Sequence, residues 1–153
     1  MFYFKQSYFL SFVFTCILMI NNNLQAQQIE YINSADHMKQ NQPFSEATIV
    51  NDIVYLSGQI GTDENDKVVP GGIRAETTQA MRNIEAVLMR MGLSKAHIFK
   101  CTCMLADIND WSEMSKAYKA FFSKTQLPAR SAFAGSGLAL GAKVEIECMA
   151  SLN

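Results

Sequence analysis

The segment Val144-Glu145-Ile146-Glu147-Cys148-Met149-Ala150-Ser151-Leu152 decides how this chain folds. Val144, Ile146, Cys148, Ala150 and Leu152 alternate with Glu145, Glu147, Met149 and Ser151. Successive side chains of a strand point to opposite faces, so the segment is a strand with one apolar face and one polar or mixed face. A sheet buried on both sides is built instead from strands that are apolar throughout. Helices are therefore expected on one face only.

Working back from that strand, Gly135, Gly137 and Gly141 mark a loop, and Ser131 to Ala134 reads as a strand. Trp111, Met114, Tyr118, Phe121 and Phe122 recur at helical spacing toward a core, with Asp110 and Glu113 framing the helix start and Pro128 beyond its end. The run Ile98 to Ala106 predicts a strand with Phe99, Cys101, Cys103 and Leu105 on one face. Before it, Ile73, Thr77, Ala80, Met81, Ile84, Val87, Leu88 and Met91 trace a helix closed by Gly92. Residues 61 to 72 form a loop. Thr48-Ile49-Val50 and Ile53-Val54-Tyr55-Leu56 flank Asn51-Asp52 and predict a hairpin. The order is β-β-α-β-α-β-β, an α+β domain with a mixed sheet and two helices packed on one face.

At 153 residues the chain has room for one domain, able to bury roughly two thirds of its unfolded surface. Residues 1 to 26 stand apart. A single cation, Lys5, precedes an apolar stretch of thirteen residues from Tyr8 to Ile20, followed by Asn21-Asn22-Asn23 and Leu24-Gln25-Ala26. Spanning a bilayer takes about twenty residues. The stretch is therefore expected to be a signal peptide cleaved after Ala26, sending the protein to the periplasm or outside the cell with no membrane anchor. Residues 27–47 read as an irregular leader and 48–153 as the domain.

Without residues 1 to 26 the chain holds 12 basic and 14 acidic residues, a charge of −2, which gives no nucleic-acid footprint. Cys101, Cys103 and Cys148 remain, an odd number without disulfide-framework spacing, and are expected to be buried, unbonded thiols. Cys101-x-Cys103 is not half a metal site, because His37 and His97 are isolated and no second pair has ligand spacing.

Glu145 and Glu147 share the face opposite Val144 and Ile146. If that face meets water they are solvated charges; a catalytic role needs a nearby cation. Arg130 is the candidate, stiffened by Pro128 and held by the strand after it. A guanidinium suits a two-pronged grip on a carboxylate and keeps its charge when partly desolvated. The alternative for Arg130 is an ordinary surface residue. Ser57-Gly58 lacks the glycines of a nucleophile elbow, and no histidine stands as its base.

Several ordered motifs together resemble the Rid family of reactive-intermediate deaminases, also called YjgF, from about Pro43 to Ala150. They are Pro43-Phe44-Ser45-Glu46-Ala47, Leu56-Ser57-Gly58-Gln59-Ile60, Asp107-Ile108-Asn109-Asp110, Tyr118-Lys119-Ala120-Phe121-Phe122, Pro128-Ala129-Arg130-Ser131 and Lys143-Val144-Glu145-Ile146-Glu147. The resemblance implies a chorismate-mutase-like fold, a homotrimer with sites in inter-subunit clefts, and a hydrolase acting on C–N bonds. Its substrates would be 2-imino acids or enamines such as 2-aminoacrylate, converted to 2-oxo acids and ammonia without metal or organic cofactor. Arg130 would grip the substrate carboxylate, and Glu145, fifteen residues later, would position or activate water. The Gly58 carbonyl would receive the substrate N–H and the Ala132 amide would donate, with Phe44 and Ser57 lining the pocket. Characterised imine deaminases carry tyrosine where Phe44 stands and cysteine where Ala132 stands. The alternative is a non-catalytic trimer that holds small carboxylates in the same clefts; ribonuclease activity, ascribed to some family members, draws no support from a mildly negative chain.

Overall fold

A computed structural model describes residues 28–122 and 127–153 of the chain. The expected signal peptide lies outside them, and no helix among the described residues is long and apolar enough to cross a membrane. The strands are β1 (Ile29–Ile32), β2 (Ala47–Val50), β3 (Ile53–Leu56), β4 (Gln59–Ile60), β5 (Ile98–Leu105), β6 (Ala129–Ala134) and β7 (Val144–Ser151). The helices are α1 (Ala35–Gln40), α2 (Gly72–Arg90) and α3 (Trp111–Phe121). The sheet runs β1-β2-β3-β7-β5-β6, with β4 also on β7, and only β5 and β6 pair parallel.

The hairpin forms as its turn residues dictate, with Asn51 at φ 56 between β2 and β3. Helix α2 buries Ile73, Thr77, Ala80, Met81, Ile84, Val87 and Leu88, the stripe its periodicity marks. It ends where Gly92 takes φ 75 and Leu93 N–H reaches back to Leu88 O at 3.0 Å, a closure that spares the helix its orphan carbonyls. On β7 the apolar set Val144, Ile146, Cys148 and Ala150 is buried under the helices. Each fully buried aliphatic side chain there contributes about 1.5–3 kcal/mol. Glu76, 4 % exposed, turns inward from α2 and accepts the Lys143 N–H at 2.6 Å, which pins the start of β7.

Four expectations need correction. The stretch read as an irregular leader contains β1, paired along β2, and α1, whose Ser34 side chain caps its first turn. Phe99 is exposed rather than in line with Cys101, Cys103 and Leu105, because the β5–β7 register shifts between Ile98 and Lys100 and resets the alternation. Trp111 is 45 % exposed: α3 opens with the preceding Asp110 making no side-chain cap, and its core contacts begin at Met114. Cys101 and Cys148 are buried as expected but joined in a disulfide, leaving Cys103 as the buried free thiol. The two bonded residues face each other across β5 and β7, a relation set by sheet order and invisible in their spacing.

Candidate functional site

Parallel pairing of β6 on β5 sets Arg130 beside Cys101 and Ala132 beside Cys103, so both face the helices. The half-buried Arg130 guanidinium donates through Nη1 to Ser115 Oγ at 2.9 Å. It lies 5.4 Å from the Trp111 ring centroid and 5.2 Å from that of Tyr118. Aromatic faces hold a cation without cancelling its charge. Among the described residues Arg130 has no carboxylate within ion-pair reach. A fixed, unneutralised guanidinium is ready to donate to a carboxylate from elsewhere. Beneath it, burial pushes the Cys103 thiol up to about 11, against the pull of Arg130 and Lys100, so this thiol stays protonated and inert. Burial likewise raises the Tyr118 phenol, whose hydroxyl has no hydrogen-bond partner among the described residues.

The second group of residues gathers at the end of β3. Ser57 ties the strand to the preceding loop: its N–H donates to Glu46 O at 3.0 Å and its hydroxyl to Ser45 O at 2.6 Å. Both bonds commit its N–H and hydroxyl to the backbone of that loop. Tyr55 pairs with Met149 but Gln59 with Ile146, so one extra residue is accommodated around Ser57-Gly58. A Cβ at Gly58 would fall 2.0 Å from Glu145 Oε1. Only glycine lets the Glu145 carboxylate lie across this backbone. Phe44 and Gly58 line a cleft of about 540 Å³.

His37, read from the sequence as isolated, is the member of this cleft that sequence reasoning missed. Its Nε2–H donates to Phe44 O at 2.6 Å, and its ring sits 5.4 Å from that of Phe44. The contact depends on α1, for which no apolar pattern gave a signal.

Within one chain the structure therefore brings Phe44, Ser57, Gly58 and Glu145 together, and separately Arg130 and Ala132. The two groups are not joined. Across β7, β5 and β6, Cys148, Cys101 and Arg130 form one row, and Glu145, Met104 and Phe133 another an odd number of residues along β5, so Arg130 and Glu145 occupy opposite faces. The nearby cation that a catalytic Glu145 requires is not supplied by Arg130 of the same chain. No group of three or more His, Cys, Asp or Glu residues able to hold a metal occurs among the described residues.

A family described as endoribonuclease L-PSP matches residues 34–152. The chain is 40 % identical over 109 residues to a Bos taurus protein named 2-iminobutanoate/2-iminopropanoate deaminase, covering 71 % of this chain and 79 % of that one. It is also similar to a Yersinia pestis structure of the conserved Rid protein family: 35 % identity, TM-score 0.72, 81 % of this chain and 99 % of the other. The structure of TdcF from E. coli, solved with bound serine, matches at 28 % identity and TM-score 0.67 over 72 % of this chain and 88 % of TdcF. The mixed sheet with two main helices on one face is the chorismate-mutase-like α+β fold of these neighbours.

Proposed function

The chain belongs to the endoribonuclease L-PSP, or Rid/YjgF, family, and from that premise we propose that it hydrolyses 2-imino acids or their enamine tautomers to 2-oxo acids and ammonia. The relatives named 2-iminobutanoate/2-iminopropanoate deaminase support this reading. The observation that carries it is the division of the site. Arg130 is a held cation lacking an anion among the described residues, Glu145 a carboxylate laid against Gly58, which lines the cleft, and they sit on opposite faces of one sheet. A second copy that sets its Arg130 and Ala132 against the Phe44–Gly58 cleft completes both half-sites. We assign that assembly as a homotrimer.

In the assembled cleft Arg130 grips the substrate carboxylate through two hydrogen bonds, and the Ala132 N–H donates to it. The Gly58 carbonyl accepts the substrate N–H. Glu145 takes a proton from water as the water oxygen bonds to C2 of the protonated imine. It then returns that proton to nitrogen. The hydroxyl proton passes to Glu145 as the C–N bond breaks and the carbonyl closes, and the departing ammonia takes that proton from Glu145, leaving the 2-oxo acid, an ammonium ion and the free carboxylate.

Export is part of the proposal. A disulfide persists in oxidising compartments and is rare elsewhere, and the Cys101–Cys148 bond adds to the support given by residues 1–26. Imine generated in situ from alanine by an amino-acid oxidase and trapped with semicarbazide tests the activity. The purified protein is expected to lower trapping, and Arg130→Lys to lose most of that effect because the two-pronged grip disappears. Trapping unchanged across several imino acids would leave the second reading, a binding module for small carboxylates, which the absent hydroxyl at Phe44 favours.

A further inference from the structure

Helix α3 presents more than aromatic rings to Arg130. Trp111, Met114, Ser115 and Tyr118 recur at i, i+3, i+4 and i+7, so they share one face of the helix. All four meet the guanidinium. The two ring centroids lie 5.4 and 5.2 Å from Cζ, Met114 Sδ lies 3.9 Å from Nη1, and Ser115 Oγ accepts from Nη1 at 2.9 Å. Ser115 carries the one hydroxyl of this face that is bonded, since that of Tyr118 has no partner among the described residues. Serine is a poorer helix former than alanine, so nothing local to α3 calls for it here.

These contacts divide the guanidinium. A carboxylate can meet it along two edges, side-on across Nε and Nη2 or end-on across the two Nη atoms. Nη1 is committed to α3, through the Ser115 oxygen and, more weakly, the Met114 sulfur. Nε and Nη2 have no partner among the described residues. The edge left for an incoming carboxylate is therefore the side-on one.

We infer that Ser115 is a positioning residue for Arg130, holding Nη1 so that the substrate carboxylate is gripped side-on by Nε and Nη2. The inference rests on the deaminase reading for the imine, while the grip itself asks only for a carboxylate. Ser115 acts through Arg130 and takes no part in the bond changes. Without its bond the guanidinium must be ordered as the carboxylate arrives, and binding weakens by the cost of ordering one long side chain. That loss falls equally on the ground state and the transition state, so it raises KM and leaves kcat.

Pyruvate carries the carboxylate and no imine, so its binding probes the grip apart from turnover. The chain has four arginines, and the Nε–H resonance of Arg130 in isotope-labelled protein is assigned by its absence from Arg130→Lys. On saturation with pyruvate that resonance is expected to move downfield, as an N–H does when a charged acceptor takes it. In Ser115→Ala the Kd for pyruvate and the KM for the alanine-derived imine should both rise about fivefold, with kcat changed less than about twofold. Ser115→Thr, which keeps the hydroxyl, should bring both back. Alanine is the better helix former, so the variant keeps its fold, and a smaller folded fraction would lower kcat without moving KM. An Nε–H resonance that pyruvate leaves in place, a Ser115→Ala variant that binds pyruvate as tightly as the unaltered protein, or a loss that Ser115→Thr does not restore overturns the inference, and turnover of imine in the same preparations keeps the deaminase reading. If no imine is turned over, that reading fails by itself, and the pyruvate titration still decides the role of Ser115.

Discussion

The two faces of the sheet are written in the same alternating strands, yet they are built to opposite ends. On the covered face, Ile146, Cys148, Cys101, Cys103 and Leu105 meet α2 and α3, and the one cation there, Arg130, is held by aromatic rings and a serine. On the open face, Glu145, Met149, Lys100 and Thr102 are half-buried and Glu147 is exposed. The comparison teaches that β7 is scaffold on one face and carries the proposed site residue Glu145 on the other, with the division falling between adjacent residues.

Glu145 and Ile146 are the sharpest place to break that division. Glu145→Gln keeps the shape of the side chain but removes the proton acceptor, and is expected to lower kcat about 10²- to 10⁴-fold in the trapping assay with an unchanged denaturation midpoint. Ile146→Ala, one residue on, should cost about 2–5 kcal/mol in urea unfolding, as a fully buried aliphatic truncated in a packed layer, while the folded fraction keeps its kcat. If both variants lost stability alike, the open face would be core in the assembled protein and Glu145 would be structural.

The disulfide tests whether the covered face needs a staple. Cys101 and Cys148 are separated by 47 residues, and closing a loop of that length stabilises by about 4 kcal/mol in the chain-entropy account. Cys101→Ala with Cys148→Ala, or reduction by dithiothreitol, should lower stability by roughly that amount. A reduced protein as stable as the oxidised one would show that the hydrophobic layer suffices and weaken the case for an oxidising compartment.

Much of the covered face was legible in the sequence because burial leaves a periodic trace: the α2 stripe, the alternation of β7 and the Asn51-Asp52 turn each mark their own element. What was not legible depends on pairings between distant segments. The sharing of a face by Arg130 and Cys101 requires knowing that β6 runs parallel to β5, and the disulfide requires knowing that β7 lies on the other side of β5. The Phe99 reading failed at a register shift that no residue type announces. Strand β1 and α1 were missed because Ile29 and Tyr31 are exposed and α1 buries nothing, so neither carries a hydrophobic period. Losing α1 also lost the contact of His37 with Phe44. Arg130 and Glu145 were singled out by their chemistry and by the family resemblance, but their placement on opposite faces, on which the proposed second copy rests, emerges only from the register.

The smallest expected effect concerns Cys103, the group whose titration reports most directly on the covered face. Burial holds its thiol at about 11 against an ordinary 9.0. Between those values the unfolded chain has lost the proton and the folded protein keeps it, so the unfolded state binds fewer protons and stability falls as pH rises. The contribution is complete below about pH 9 and lost as pH passes through about 11, amounting to at most about 3 kcal/mol. Tyr118, also raised by burial, acts in the same direction, so the measurement compares urea midpoints from pH 8 to 11 with and without Cys103→Val. The variant should lose stability less steeply over that range, and in the unaltered folded protein iodoacetamide should leave Cys103 unmodified at pH 8. Parallel curves, or ready alkylation, would place Cys103 in contact with water and move the boundary between scaffold and site into the layer beneath Arg130.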